Sequence, residues 1–121
     1  MEGQFVSSSI GEDSVVIRVS FPHDLAAGEQ DQAAEELIGV AEAAARRVAV
    51  VDLSGVEAAN SRFLGALLSL LRKQRQRGGS ALLASVRPWV AETLARCALD
   101  VLFESYPSAE AALKAHDADS A

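Results

Sequence analysis

With a single cysteine in 121 residues, the chain can form no disulfide within itself, and nothing in its composition suggests secretion. Aromatic residues make up only 5%, too few to supply stacking platforms for single-stranded nucleic acid. Cationic charge is also short: the net charge of −6 argues against direct nucleic-acid binding, which needs basic surface. No apolar run approaches the length of a membrane span, so no membrane insertion is expected. The opening MEGQFVSSSI has neither a basic region nor a long apolar run, which excludes a signal peptide and leaves the cytoplasm as the expected location. There is no CxxC, no HExxH and no pair of neighbouring histidines, so no metal is expected. No GxxxxGKS/T or GxGxxG follows an apolar run, so neither a nucleotide-hydrolysing nor a dinucleotide-binding domain is indicated, and no cofactor is expected.

One further absence is local. From Ala58 to Ala91 there is no acidic residue, yet Arg62, Arg72, Lys73, Arg75, Arg77 and Arg87 fall inside that window, more than half of the eleven basic residues. Arg72 to Arg77 crowd a helix C-terminus, where cations complement the dipole. The same charges would also suit an acidic protein surface.

What is present reads as one α/β domain over residues 1–121, with an ordered core at about 4–116. Residues 5–21 suggest two strands around Gly11-Glu12-Asp13, with Val15, Ile17 and Val19 facing a core. A turn-rich connector spans 22–30. A helix over 30–47 follows, capped by Asp31, closed by Arg46-Arg47, and striped by Ala34, Leu37, Ile38 and Ala41. VAVVDL, residues 48–53, has the β-branched character of a strand covered on both faces. After Ser61 comes a helix with Leu64, Leu67, Leu68 and Leu71 inward, stopped by Gly78-Gly79. SALLAS at 80–85 is a buried strand. Pro88 opens a third helix through Trp89, Val90, Leu94 and Leu99, on which Cys97 reads as a small core residue. VLFESY at 101–106 is a last strand, and Ser108 caps a final helix over 109–116, with DADSA a frayed tail. The order ββαβαβαβα implies parallel crossovers and a mixed sheet of about five strands packed by about four helices.

The chemistry concentrates in residues 50–78. A buried strand leads through a short loop to Asn60-Ser61 at a helix N-terminus, where unpaired N–H groups and a partial positive charge would tolerate a phosphate. Asn60 and Ser61 both qualify as the N-cap. Opposite the leucine stripe lie Arg62, Gly65, Ser69, Arg72 and Lys73. Gly65 disfavours a helix by about 1 kcal/mol relative to Ala, which calls for a reason such as close packing within the domain. No catalytic set emerges: nothing in the sequence brings His23 and Asp24 to Ser61 as a base. Asp52 and Glu57 have no partner that would split them into acid and base. A non-enzymatic protein is expected.

VVDLSGV, NSRFLGALLSLLRKQRQRGG, ALLASVRPWVAETLARCALDVLF and YPSAEAAL, taken in order, resemble the STAS domain of bacterial anti-sigma factor antagonists over about Val48–Leu113. The resemblance implies the STAS sandwich, and it implies that Ser61 is phosphorylated by a partner serine kinase that binds the ATP and doubles as the anti-sigma factor. Asn60, Ser61, Arg62, Gly65, Ser69 and Arg72 would then meet the partner, with Asp52 and Ser54 supporting the loop. Gly65 matches the family's second glycine, where a missing side chain lets a partner approach. STAS domains also brace lipid-importing ABC transporters and build stressosomes without a phospho-switch, which is the alternative. Three departures stand out. Asn60 replaces the family's Asp, removing a charge beside the acceptor. Arg62 and Phe63 replace small residues and the first glycine, which would reshape the contact face. Ser20-Phe21-Pro22-His23-Asp24 replaces the family's Gly-Glu-Leu-Asp, altering that surface too.

Overall fold

A computed structural model describes residues 3–22 and 26–120. Strands β1 (Val6–Ile10) and β2 (Ser14–Phe21) form an antiparallel hairpin, closed where the Gly11 N–H donates to the Ser14 carbonyl at 2.7 Å. β3 (Val48–Val56), β4 (Ser80–Ala84) and β5 (Glu104–Tyr106) join β2 in parallel, in the sheet order β1-β2-β3-β4-β5. Between and after them run α1 (Ala27–Ala44), α2 (Ser61–Gln76), α3 (Pro88–Arg96) and α4 (Ala109–Ser120). This is the expected ββαβαβαβα order and mixed five-stranded sheet.

Parallel strands laid down in sequence by crossovers of one hand place their connecting helices on one face. Ile17, Val51 and Leu83 accordingly share a core with α1, α2 and α3, while Val16, Val50 and Leu82 pack on the other face against Ala112 and Leu113 of α4. The alternation along 48–53 therefore buries both faces, as expected: Val48, Ala49, Val50, Val51 and Leu53 are each at most 1% exposed.

Several boundaries differ from the sequence expectation. α1 starts at Ala27 behind Ala26, not at Asp31, and ends at Ala44, with Ala45 left-handed at φ 49°. It stops there because the next carbonyls are needed elsewhere. Arg47 accepts from the Ser80 N–H at 2.8 Å, and Gln74 Nε2 donates to the carbonyls of Arg46 and Arg47 at 2.9 and 3.1 Å. Gly79 is demanded by the same junction, since a Cβ there would collide with the Arg47 carbonyl. β5 covers only Glu104–Tyr106; Val101 and Leu102 lie in an exposed turn, where the Leu102 carbonyl accepts from Arg75 at 3.3 Å instead of joining the ladder. Cys97 is exposed at the C-cap of α3 rather than in the core, because the helix ends at Arg96 and Leu99 is the residue that turns back inward. Ser108 caps α4 as expected, its Oγ accepting from the Ala111 N–H at 3.0 Å, but the helix continues to Ser120 through most of the expected tail.

The N-terminal strand is tied to α1 by Glu36. Its Oε1 accepts from the Phe5 N–H at 2.8 Å and its Oε2 from Gln32 Nε2 at 3.0 Å. Burial pushes this carboxyl up, but the Phe5 N–H, the Gln32 side chain and the backbone of Gln4 and Val6 together hold it below its ordinary 4.5. A lowered folded-state pKa stabilises above the unfolded value and is lost as pH falls through the folded one. Glu36→Gln is therefore expected to lower stability at neutral pH, with the difference from wild type shrinking below about pH 4.5. Urea midpoints at pH 7 and pH 3 measure this directly; an equal gap at both would refute it.

Candidate functional site

The loop of interest begins inside β3. Arg18 pairs with Asp52 but Ser20 pairs with Gly55, so β3 carries one extra residue there. Asp52 Oδ1 accepts from the Ser54 N–H at 2.9 Å, which shapes the bulge. Gly55 is required beside it, since a Cβ would stand 2.7 Å from the Ser20 Cβ and 3.0 Å from its Cα. Asp52 and Ser54 thus shape the bulge near the end of β3.

Asn60 is the N-cap of α2. Its extended backbone, φ −85° and ψ 174°, lets Oδ1 accept from the Phe63 N–H at 2.9 Å. Its own N–H donates to Gln30 Oε1 at 3.0 Å, reaching across from α1. The competition with Ser61 is thereby decided: Ser61 is the first helical residue, it is exposed, and no acidic residue sits in its turn. Among the described residues, none holds the Ser61 hydroxyl. Arg87 braces the other side of the loop, donating to the Ser54 carbonyl at 3.4 Å and lying 3.9 Å from Glu57.

Ser61, Arg62, Gly65 and Ser69 come together along an open groove of about 330 Å³ between α2 and α1, facing Ala34, Glu35 and Ile38. Arg62 lies 3.7 Å from Asp31, the residue expected to cap α1. Lys73 contacts Glu42 further along, and its hydrogen bond and then its charge hold that carboxyl below the ordinary range. Arg72 is exposed on α2, and neither it nor the cap residue Asn60 lines the groove. A Cβ on Gly65 would meet nothing within 4 Å, so close packing inside the domain does not account for this glycine.

Two departures from the family pattern are corrected by the structure. Phe63 does not reshape a contact face: it is 0% exposed, with its ring 5.4 Å from that of Phe21 at an edge-on 77°. Phe21, 4% exposed, is likewise core rather than surface. Leu68, expected inward, is half-buried, while Phe63 and Leu70 take positions in the core shared with the sheet and α1, and Gln74 is buried on the carbonyls of Arg46, Arg47 and Ser80. His23 and Asp24, considered as a base for Ser61, lie outside the described residues. Sequence reasoning missed Gln30, 9% exposed, for which an unremarkable glutamine early in a helix offers no signal. Arg87 was visible only as one of a basic group. A larger hollow of about 530 Å³ opens at the amino ends of β3 and β4, lined by Arg47, Arg75 and His116, and contains none of the expected site residues. Among the described residues no cluster of His, Cys, Asp and Glu could hold a metal ion, and no helix is long and apolar enough to cross a membrane.

A family model described as Mlab, STAS domain (STAS_2) matches residues 12–104. No curated protein matches the chain in sequence. An anti-sigma-factor antagonist (STAS) domain protein from Planctomyces limnophilus is similar at 26% identity and TM-score 0.77, over 91% of this chain and 96% of that one. The Bacillus cell fate determinant SpoIIAA in its phosphorylated form shares the fold at TM-score 0.65 and 16% identity, over 91% and 98% of the two chains. A sulfate transporter family protein from Wolinella succinogenes shares it at 0.72 and 16%, over 88% and 86%.

Proposed function

This chain belongs to the STAS domain family, and from that premise we propose that it is a non-enzymatic, cytoplasmic binding module that switches partners as an anti-sigma factor antagonist does. Its partner is a serine kinase that doubles as the anti-sigma factor, and phosphorylation of Ser61 ends the association. The observation that carries this reading is the exposed Ser61 hydroxyl at the first position of α2, left unused because Asn60 supplies the cap. A phosphoryl group adds roughly −1.5 to −2 charges at a helix end that favours anions, so the folded domain accepts it. An interface built around a neutral hydroxyl does not.

Gly65 supports the same surface. It faces open space, so Gly65→Ala is expected to stabilise α2 by about 0.5–1 kcal/mol while weakening partner binding. Urea unfolding and a binding titration separate the two effects. A destabilised variant, or one that binds unchanged, would remove Gly65 from the docking face.

A second reading has its own support. Asn60 lacks the acidic charge of the family pattern, the matching family model carries the Mlab description, and a sulfate transporter family protein shares the fold. On this reading the chain is an accessory subunit of a lipid-transporting ABC system, or a stressosome scaffold, with Ser61 unmodified. Affinity purification of the tagged protein from its own cells, with mass spectrometry of what co-purifies, tests the two. A kinase or anti-sigma factor supports the switch; a permease with its ATPase supports the transporter reading and reduces Ser61 to a helix residue.

A further inference from the structure

Four large apolar side chains are exposed among the described residues: Ile10, Trp89, Val101 and Leu102. Topology divides them. Ile10 lies by the β1–β2 turn, next to the amino end of β3, where the Val48 N–H reaches the Asp13 carbonyl at 3.1 Å. Leu102, with Val101 beside it, is tied through its carbonyl to Arg75 near the C-terminal end of α2. Trp89 alone of the four stands at the carboxyl ends of the parallel strands, the end at which β3 leads to Ser61.

Its position is held. α3 opens on Pro88 behind Arg87, and Arg87 joins that opening to the end of β3 through the Ser54 carbonyl and to the β3–α2 loop through Glu57. Val90, the next residue, is 0% exposed, so the helix is seated on the core and presents the indole outward from a fixed backbone. Trp89 is nevertheless 64% exposed. A large, rigid, amphipathic ring on a fixed support is the kind of residue that dominates interface energetics. Arg62 at the head of α2 and Arg87 ahead of α3 flank the β3–α2 loop, each near an acidic residue, Asp31 and Glu57, while the run from Ala58 to Ala91 itself contributes no acidic residue.

We propose that the docking surface extends past the α1–α2 groove and across the β3–α2 loop to the first turn of α3. Trp89 is its anchor, and the occupant is a partner protein that offers an apolar pocket rimmed by carboxylates. This rests on the reading of Ser61 and its helix face as the docking site. The arginines steer and orient the partner, and the indole supplies the desolvated contact. Arg62, paired with Asp31 at an exposed site, exchanges one carboxylate for another at little cost, because exposed ion pairs are worth little by themselves, while Arg87 keeps its bond to the Ser54 carbonyl.

The test uses the full chain in its own cells, with a photocrosslinking amino acid placed at position 69 in the groove, at 89, or at 114 on α4 as a control. Positions 69 and 89 are expected to trap the same protein and 114 not to. With that protein purified, Trp89→Ala is expected to lower affinity at least tenfold while Trp89→Phe retains most of it, and the thermal midpoint of both should stay close to wild type, as for an exposed site. Absence of an adduct at 89, a different protein at 69 and 89, an adduct to a second copy of this chain, or unchanged affinity of Trp89→Ala overturns the proposal. If both positions trap one protein but its binding ignores Ser61→Asp, the shared surface stands and the phospho-switch falls.

Discussion

Ser61→Asp is expected to weaken binding to the kinase partner by about 100-fold or more, equivalent to some 2.7 kcal/mol, while leaving the domain folded. The two halves of that result come from different physics. In the free domain the new carboxylate sits at the exposed first position of α2, where the dipole favours a negative charge by about 0.3–1 kcal/mol. Glu35 across the groove offsets part of this, at a solvent-screened site. In the complex the same carboxylate must lose its water against a surface shaped for a hydroxyl, and an unpaired charge is costly to bury. Ser61→Ala is the control. The cap belongs to Asn60, so the alanine variant should fold, bind, and resist inactivation by the kinase. Calorimetric titration of the three proteins decides the matter: if Ser61→Asp binds as wild type does, phosphorylation is not the switch.

The largest effect on stability is expected from Phe63→Ala, about 3–5 kcal/mol. Phe63 is fully buried at the start of α2 and meets Phe21 edge-on at 5.4 Å, with Phe5 on the far side of Phe21 at 6.5 Å. Truncation removes a buried ring, an aromatic pair worth about 0.5–1.5 kcal/mol beyond its area, and leaves a cavity. In a domain whose total stability is on the order of 5–15 kcal/mol, the denaturant midpoint should fall steeply. The variant also bears on function, because Phe63 accepts nothing from a partner yet anchors the turn that carries Asn60 and Ser61. A drop under about 1 kcal/mol would mean that this ring is not packed as described.

Phe63 also shows where reading the sequence stops. Set against the family pattern, Phe21 and Phe63 are two separate departures, each at a place where a surface change would be expected. In the folded chain they are one compensating pair: a ring added at the end of β2 fills against a ring added at the head of α2. Residues more than forty apart in sequence meet only through the β2–β3 pairing, and no periodicity reports that. Gln30 and Gln74 illustrate the same limit for polar groups. Each is a glutamine on a helix, indistinguishable from an exposed one until the carbonyls or N–H groups it satisfies are brought within 3.1 Å. Cys97 and residues 101–103 depart from the sequence expectation because the end of a short helix is decided by which residues return to the core.

The sequence by itself determined the element order, the inward strand residues, the capping pair at 60–61 and the family to which they belong. These are local or periodic properties: alternation of period two, a 3.6-residue stripe, and turn chemistry that neighbouring residues satisfy among themselves. Only the tertiary structure decided that Asn60 rather than Ser61 caps α2, that Gly65 faces open space, and that Trp89 stands beside the loop while the other exposed apolar residues do not. Each of these depends on distant segments competing for the same volume or hydrogen-bonding group, and that competition is settled only when the sheet and its helices close around them.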